Sequence, residues 1–219
     1  MTATVAAPAA ETRTAPGTTT APFRLYADPL ALPLRPGEQY RFAVDLSRCI
    51  GCHACEVACA EQNDLPAGVY WRKVGDVEGG EFPHTARLHV STACNHCLEP
   101  ACMHGCPTLA YSKGADGIVV HDAQACVGCG YCTWNCPYDV PVIDPVCRIA
   151  TKCDMCKPRL DTGDLPACVE SCPTGAIALE IVDVASWRAD HAAAEGPGLP
   201  PSGLTLSTTR IAVPAQAPR

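Results

Sequence analysis

Sixteen of the seventeen cysteines in this 219-residue chain fall into four groups of four. The first, CIGCHACEVAC, holds Cys49, Cys52, Cys55 and Cys59. The second, CNHCLEPACMHGCP, holds Cys94, Cys97, Cys102 and Cys106. The third, CVGCGYCTWNCP, holds Cys126, Cys129, Cys132 and Cys136. The fourth, CDMCKPRLDTGDLPACVESCP, holds Cys153, Cys156, Cys168 and Cys172. Disulfide frameworks scatter their cysteines to tie distant loops. Dense runs instead converge several sulfurs on one point, which suits a metal centre. Aromatic residues make up only 5% of the chain. A large apolar core is therefore not expected, and metal centres must knit the body together.

Thiolate is a soft ligand that suits zinc or iron–sulfur clusters. Three thiolates can come from one C-x2-C-x2-C loop. In two-cluster ferredoxins the next cysteine, three residues on and followed by proline, ligates the other cluster. Cys136 is accordingly expected to serve a neighbouring centre. Zinc sites pair two C-x2-C knuckles across a linker. The second and fourth groups contain such knuckles, but the first and third leave a ligand over. The Cys-Pro ending recurs at Cys106-Pro107, Cys136-Pro137 and Cys172-Pro173. This repetition favours iron–sulfur chemistry.

The net charge of −7 argues against a general nucleic-acid binder. No apolar run is long enough for a transmembrane helix, and no export signal is visible at the N-terminus. Residues 1–37 and 191–219 are rich in Ala, Pro and Thr. The first reads as a disordered or partner-binding arm and the second as an extended tail. The cysteine-bearing body spans 38–190, with an insertion at 61–85 that reads as a surface hairpin or loop. QYRFAVDL, ARLHVST, DGIVVHD and AIALEIVD have the short, β-branched character of strands. EVACAEQN and TLAYSK are expected as short helices. The chain has no dinucleotide fingerprint, P-loop or recognisable nucleophile–base pair, so electron relay is expected rather than catalysis.

FAVDLSRCIGCHACEVAC, STACNHCLEPAC, GIVVHDAQACVGCGYCTWNCPY, TKCDMC and PACVESCPTGAI carry a resemblance. The body resembles the four-cluster ferredoxin-like electron-transfer (beta) subunit of the dimethyl sulfoxide reductase type molybdopterin oxidoreductases. The resemblance covers about residues 38–185. It implies an α+β fold of two pseudo-symmetric ferredoxin-like dicluster units with small antiparallel sheets, short helices and long cluster-binding loops. It also implies four [4Fe–4S] clusters with swapped ligands. Cys49, Cys52 and Cys55 would hold one cluster with Cys172. Cys153, Cys156 and Cys168 would hold a second with Cys59. Cys94, Cys97 and Cys102 would hold a third with Cys136. Cys126, Cys129 and Cys132 would hold a fourth with Cys106. The implied partners are a molybdenum or tungsten bis-pterin catalytic subunit and an integral membrane quinol/quinone subunit. The chain would then be a peripheral part of a membrane-associated complex, cytoplasmic or exported folded with a partner.

Some residues stand outside this scheme. Cys147 reads as a free thiol packed near the clusters. His53 and His96 sit inside cluster loops, in reach of cluster sulfur. Arg48, Lys152 and Lys157 flank ligands, either to favour reduced clusters or as solvated charge. Tyr131 and Trp134 are expected to shield a cluster from water. Two alternative functions remain: a relay subunit of a hydrogenase or formate dehydrogenase, and a zinc-stapled interaction protein.

Overall fold

The computed structural model describes residues 23–25, 34–189 and 195–215. Most of the N-terminal arm expected at 1–37 lies outside these residues, as do 190–194 and 216–219 of the body's end and the tail.

The strand that enters the first cysteine group and the strand that leaves the fourth are partners. β2 (Glu38–Asp45) pairs antiparallel with β9 (Ile177–Asp183), in register from Glu38↔Asp183 to Val44↔Ile177. This pairing closes the body end to end and brings the first and fourth groups together. Side chains alternate across the pair. Phe42, Leu179 and Ile181 enter the main core on one face. On the other, α6 (Val184–Ala189) covers a buried pair of opposite charges, Arg41 and Glu180, which sit directly across from each other. The Arg41 guanidinium lies 4.4 Å from the ring centre of Trp187 on α6, a cation–π contact.

Two more strands complete this sheet. β1 (Phe23–Leu25) adds antiparallel to β9, and β10 (Arg210–Ala212) adds parallel to β2. The parallel edge is an addition to the small antiparallel sheets expected. β2 and β10 are far apart in the chain, as a parallel pair requires, and the segment between β9 and β10 carries the chain past β2 to its far edge. On its way it crosses the second cysteine group. Leu98 and Glu99 donate backbone hydrogen bonds to the carbonyls of Leu206 and Thr205, at 2.9 and 3.0 Å. The Trp187 indole N–H donates to the Ser207 carbonyl at 2.9 Å. Residues 195–215, expected as part of an extended tail, thus lie against the body.

The other sheets have two strands each. β3 (Lys73–Glu81) and β4 (His84–Thr92) form a long hairpin. β5 (Tyr111–Lys113) pairs with β6 (Val119–His121), and β7 (Val142–Ile143) with β8 (Ala150–Thr151). β5 corrects the helix expected over TLAYSK. Leu109 adopts a left-handed φ of 55°, which turns the chain after Cys106-Pro107. Tyr111 is then buried against Val119, a placement that strand pairing satisfies and a single helical turn does not.

The helices are short: α1 (Ala54–Gln62), α2 (Ala101–His104), α3 (Tyr131–Asn135), α4 (Lys157–Thr162) and α5 (Ala167–Glu170). None reaches the length at which a helix is stable alone. Four of them pack in two pairs, α1 with α5 and α2 with α3. α1 carries Cys55 and Cys59 while α5 carries Cys168; α2 carries Cys102 while α3 carries Cys132. The fold is α+β. One half pairs the first group with the fourth, and the other pairs the second with the third.

Candidate functional site

One backbone device recurs in every cysteine group. The residue two after the first cysteine is left-handed: Gly51 (φ 66°), His96 (43°), Gly128 (70°) and Met155 (62°). This winds the chain so that its N–H groups face inward. Gly128 donates to Cys126 Sγ at 3.4 Å, and Met155 to Cys153 Sγ at 3.3 Å. At Gly128 only glycine fits, since a Cβ would stand 2.2 Å from the Arg148 carbonyl oxygen.

The Cys-Pro endings form a second repeated device. Ala110 N–H donates to Cys106 Sγ at 3.3 Å, and Thr108 Oγ1 lies 3.6 Å from the same sulfur. Ala176 N–H donates to Cys172 Sγ at 3.2 Å, with Thr174 Oγ1 at 3.7 Å. Burial works to raise the pKa of both thiols, but these hydrogen bonds outweigh it and lower both. The shared Cys-Pro-Thr sequence is the visible trace of this geometry.

Two cavities bring the sulfurs together. One is lined by Cys94, Cys97, Cys102 and Cys136. Another is lined by Cys49, Cys52, Cys55 and Cys172. In each, three cysteines come from one group and the fourth from a group distant in sequence. The remaining cysteines also gather across groups. Cys59 lies within charge-interaction range of Cys168 and Cys156. Cys132 feels Cys126 and Cys129, and Cys106 and Cys126 border the apolar cluster that contains Cys132.

These residues fit an iron–sulfur cubane. Burial pushes the thiols of Cys59, Cys97 and Cys102 up to about 12. Unligated, they hold their protons at neutral pH; a cationic core is what makes the thiolates stable there. A zinc ion would need its sulfurs about 2.3 Å from a single point. Among the described residues, no three His, Cys, Asp or Glu side chains converge on a single-ion site.

Residues around the cavities separate into supports and bystanders. His96 is fully buried, and its Nδ1 accepts the Val119 N–H at 3.0 Å. The proton therefore sits on Nε2, which has no partner among the described residues. Burial, with Lys152 and Lys113 nearby, holds the imidazole's pKa well below its usual value. His53 instead turns to solvent and bonds Glu56 at 2.8 Å. Lys152 is buried, with Nζ donating to the carbonyls of Val119 and Cys153. Lys157 pairs with Asp116 at 2.9 Å and Asp161 at 3.0 Å, and Arg48 is exposed. Cys147 corrects the expectation of a packed thiol. It is exposed in the turn between β7 and β8, because the Asp144 carboxylate caps that turn by accepting the Val146 and Cys147 N–H groups. Tyr131 and Trp134 also stand outward, Trp134 at 86% exposure.

Sequence reasoning missed Lys113, Ser91, Asn63 and Thr205. Lys113 Nζ donates to the carbonyls of His96 and Cys97. Ser91 Oγ lies 3.5 Å from Cys55 Sγ, and Asn63 Nδ2 lies 3.7 Å from Cys59 Sγ. Thr205 donates its hydroxyl to Cys97 Sγ at 3.1 Å from 108 residues away. No local pattern announces such a partner. Thr205→Val is expected to cost about 1 kcal/mol of stability and to lower the midpoint potential of one cluster. An EPR-monitored redox titration checks this, and four unmoved midpoints would contradict it.

A family model described as a 4Fe-4S dicluster domain matches residues 85–182. The B component of the anaerobic dimethyl sulfoxide reductase of Haemophilus influenzae is 38% identical over 177 residues, covering 77% of this chain and 86% of the relative. The chain belongs to the family of dimethyl sulfoxide reductase B components. The corresponding component of the Escherichia coli K12 reductase is 40% identical over 153 residues, covering 66% of this chain and 75% of the relative. The B component of the tetrathionate reductase of Salmonella typhimurium is 42% identical over 143 residues, covering 64% and 57%. As a member of this family, the protein is an iron–sulfur electron-transfer subunit, and its cysteine complement matches four [4Fe–4S] clusters. Among the described residues no helix is long and apolar enough to cross a membrane.

Proposed function

We propose that the chain relays electrons through four clusters in a row, between a molybdenum or tungsten bis-pterin catalytic subunit and a membrane quinol/quinone subunit. A [4Fe–4S] cluster supplies one-electron transfer at a potential set by surrounding charge, hydrogen bonds and exposure. The observation that carries this reading is the meeting of Cys49, Cys52 and Cys55 with Cys172 in one cavity. It supports the swapped ligand sets: Cys49, Cys52, Cys55 and Cys172; Cys153, Cys156, Cys168 and Cys59; Cys94, Cys97, Cys102 and Cys136; Cys126, Cys129, Cys132 and Cys106.

Proximity suggests the order. Cys55 lies near Cys168, which links the first set to the second. Cys153 lies near Cys94, which links the second to the third. Tyr111 lies near Cys102 and Cys132, between the third and the fourth. The two terminal sets each contain an exposed cysteine, Cys52 and Cys129. Exposed apolar side chains flank both: Ile50 and Val57 at one end, Val127 and Tyr131 at the other. Such ends suit docking partners. The dimethyl sulfoxide reductase relatives favour a reductase complex over a hydrogenase relay.

Anaerobic affinity purification from gently solubilised cells tests the reading. The expected result is a brown chain that bleaches with dithionite and brings with it one large subunit containing molybdenum or tungsten and one integral membrane subunit. A chain that purifies alone, or with a hydrogenase, would overturn it.

A further inference from the structure

Arg72 carries a charge with no evident counter-ion. Its side chain is 2% exposed, and no carboxylate among the described residues forms an ion pair with it. It stands just before β3, at the foot of the hairpin. Nη1 donates to Ser91 Oγ at 3.0 Å, and the guanidinium lies 4.7 Å from the ring centre of Phe42. Nε and Nη2 make no hydrogen bond of ordinary geometry among the described residues, and the polar side chain that the guanidinium meets besides Ser91 is the Cys168 thiol. Burying a charge unpaired is strongly unfavourable, and orphaned buried donors are rare in native structures. Something negative must face them.

The groups that surround Arg72 are thiols of two different ligand sets. Ser91, which accepts the Nη1 hydrogen bond, lies 3.5 Å from Cys55 Sγ. Cys55, Cys153 and Cys168 belong to the same buried core as Phe42. Arg72 lies within charge-interaction range of Cys168, Cys153 and Cys55, sulfurs that are thiolates when they hold iron. A cubane with four thiolates is a net anion, and reduction adds one more negative charge. Arginine stays charged when buried, and its planar fork offers donors in two directions at once.

We propose that Arg72 is the shared counter-ion of two clusters, the one held by Cys49, Cys52, Cys55 and Cys172 and the one held by Cys153, Cys156, Cys168 and Cys59. Its two unpartnered nitrogens face the sulfur of these centres. Its fixed charge favours their reduced states and raises both potentials. This role rests on the ligand sets proposed above.

The test is an EPR-monitored redox titration of the anaerobically purified full-length holoprotein, with iron counted on the same samples. In Arg72→Gln, two of the four midpoints are expected to fall by at least tenfold in the reduction equilibrium constant, about 59 mV for a one-electron couple. The other two should move less. Arg72→Lys keeps the charge and should hold both midpoints within tenfold of the parent. Full iron in Arg72→Gln with all four midpoints unmoved, with all four shifted alike, or with only one shifted overturns the shared role. If Arg72→Gln loses iron, Arg72→Lys decides. Full iron with parent-like midpoints sustains the role, and iron loss there too assigns Arg72 to packing alone. A parent protein lacking clusters would instead sink the ligand sets, which is a separable result.

Discussion

Stripped of iron and sulfide by an anaerobic chelator, the body is expected to lose its tertiary structure. The main core is built around cysteine side chains: Cys55, Cys94, Cys153 and Cys168 sit among Phe42, Ile118, Met155 and Leu179. The second core places Cys102 and Cys132 beside Tyr111 and Val119. The helices that carry these thiols have four to nine residues, too few to persist alone. Among the described residues three of the four sheets are two-stranded, a size that is marginal in water. A single structural zinc contributes about 10–16 kcal/mol to its small domain, whereas a whole protein is stable by only about 5–15 kcal/mol. Removing four polynuclear centres thus exceeds the available stability. Near-ultraviolet circular dichroism should collapse, with the four-stranded sheet the last ordered element in hydrogen exchange. An iron-free chain that keeps its near-ultraviolet signal would show that the polypeptide packs without its clusters.

Glu180→Ala carries the next largest expected effect, about 3–5 kcal/mol of destabilisation. The Glu180 carboxylate is fully buried between two guanidiniums. Arg41 approaches it at 2.8 Å from the strand opposite, and Arg210 Nε donates to it at 3.1 Å from β10. Arg210's pKa is raised, first by this hydrogen bond. Removing the carboxylate leaves Arg41's buried charge without this counter-ion and releases the clamp on β10. The segment leading to β10 holds Thr205 against Cys97. Loss of the clamp should therefore also speed bleaching of one cluster in air. Urea unfolding of the anaerobic holoprotein measures the first effect. A change under about 1 kcal/mol would mean the ion pair is dispensable.

How far the sequence foretold this molecule depends on the range of each signal. The strands around the cysteine groups are local patterns, and QYRFAVDL and AIALEIVD appear as β2 and β9. That these two pair with each other is a relation across more than 130 residues, and no local pattern contains it. TLAYSK misled because its composition tolerates a helix, while burial of Tyr111 against β6 decides for a strand. The Cys-Pro-Thr endings were legible as punctuation, but their backbone donors to sulfur became visible only in three dimensions. Arg72 shows the limit most clearly. It lies within 61–85, a segment that reads as surface hairpin, yet its side chain points into the core because the hairpin's foot is anchored at Ser91.

Iron, acid-labile sulfide and zinc, measured together on one sample prepared without oxygen, test the account at its root. Four cubanes require about sixteen irons and about sixteen sulfides per chain, with zinc near zero. Iron far below that figure, or zinc in its place, would contradict it.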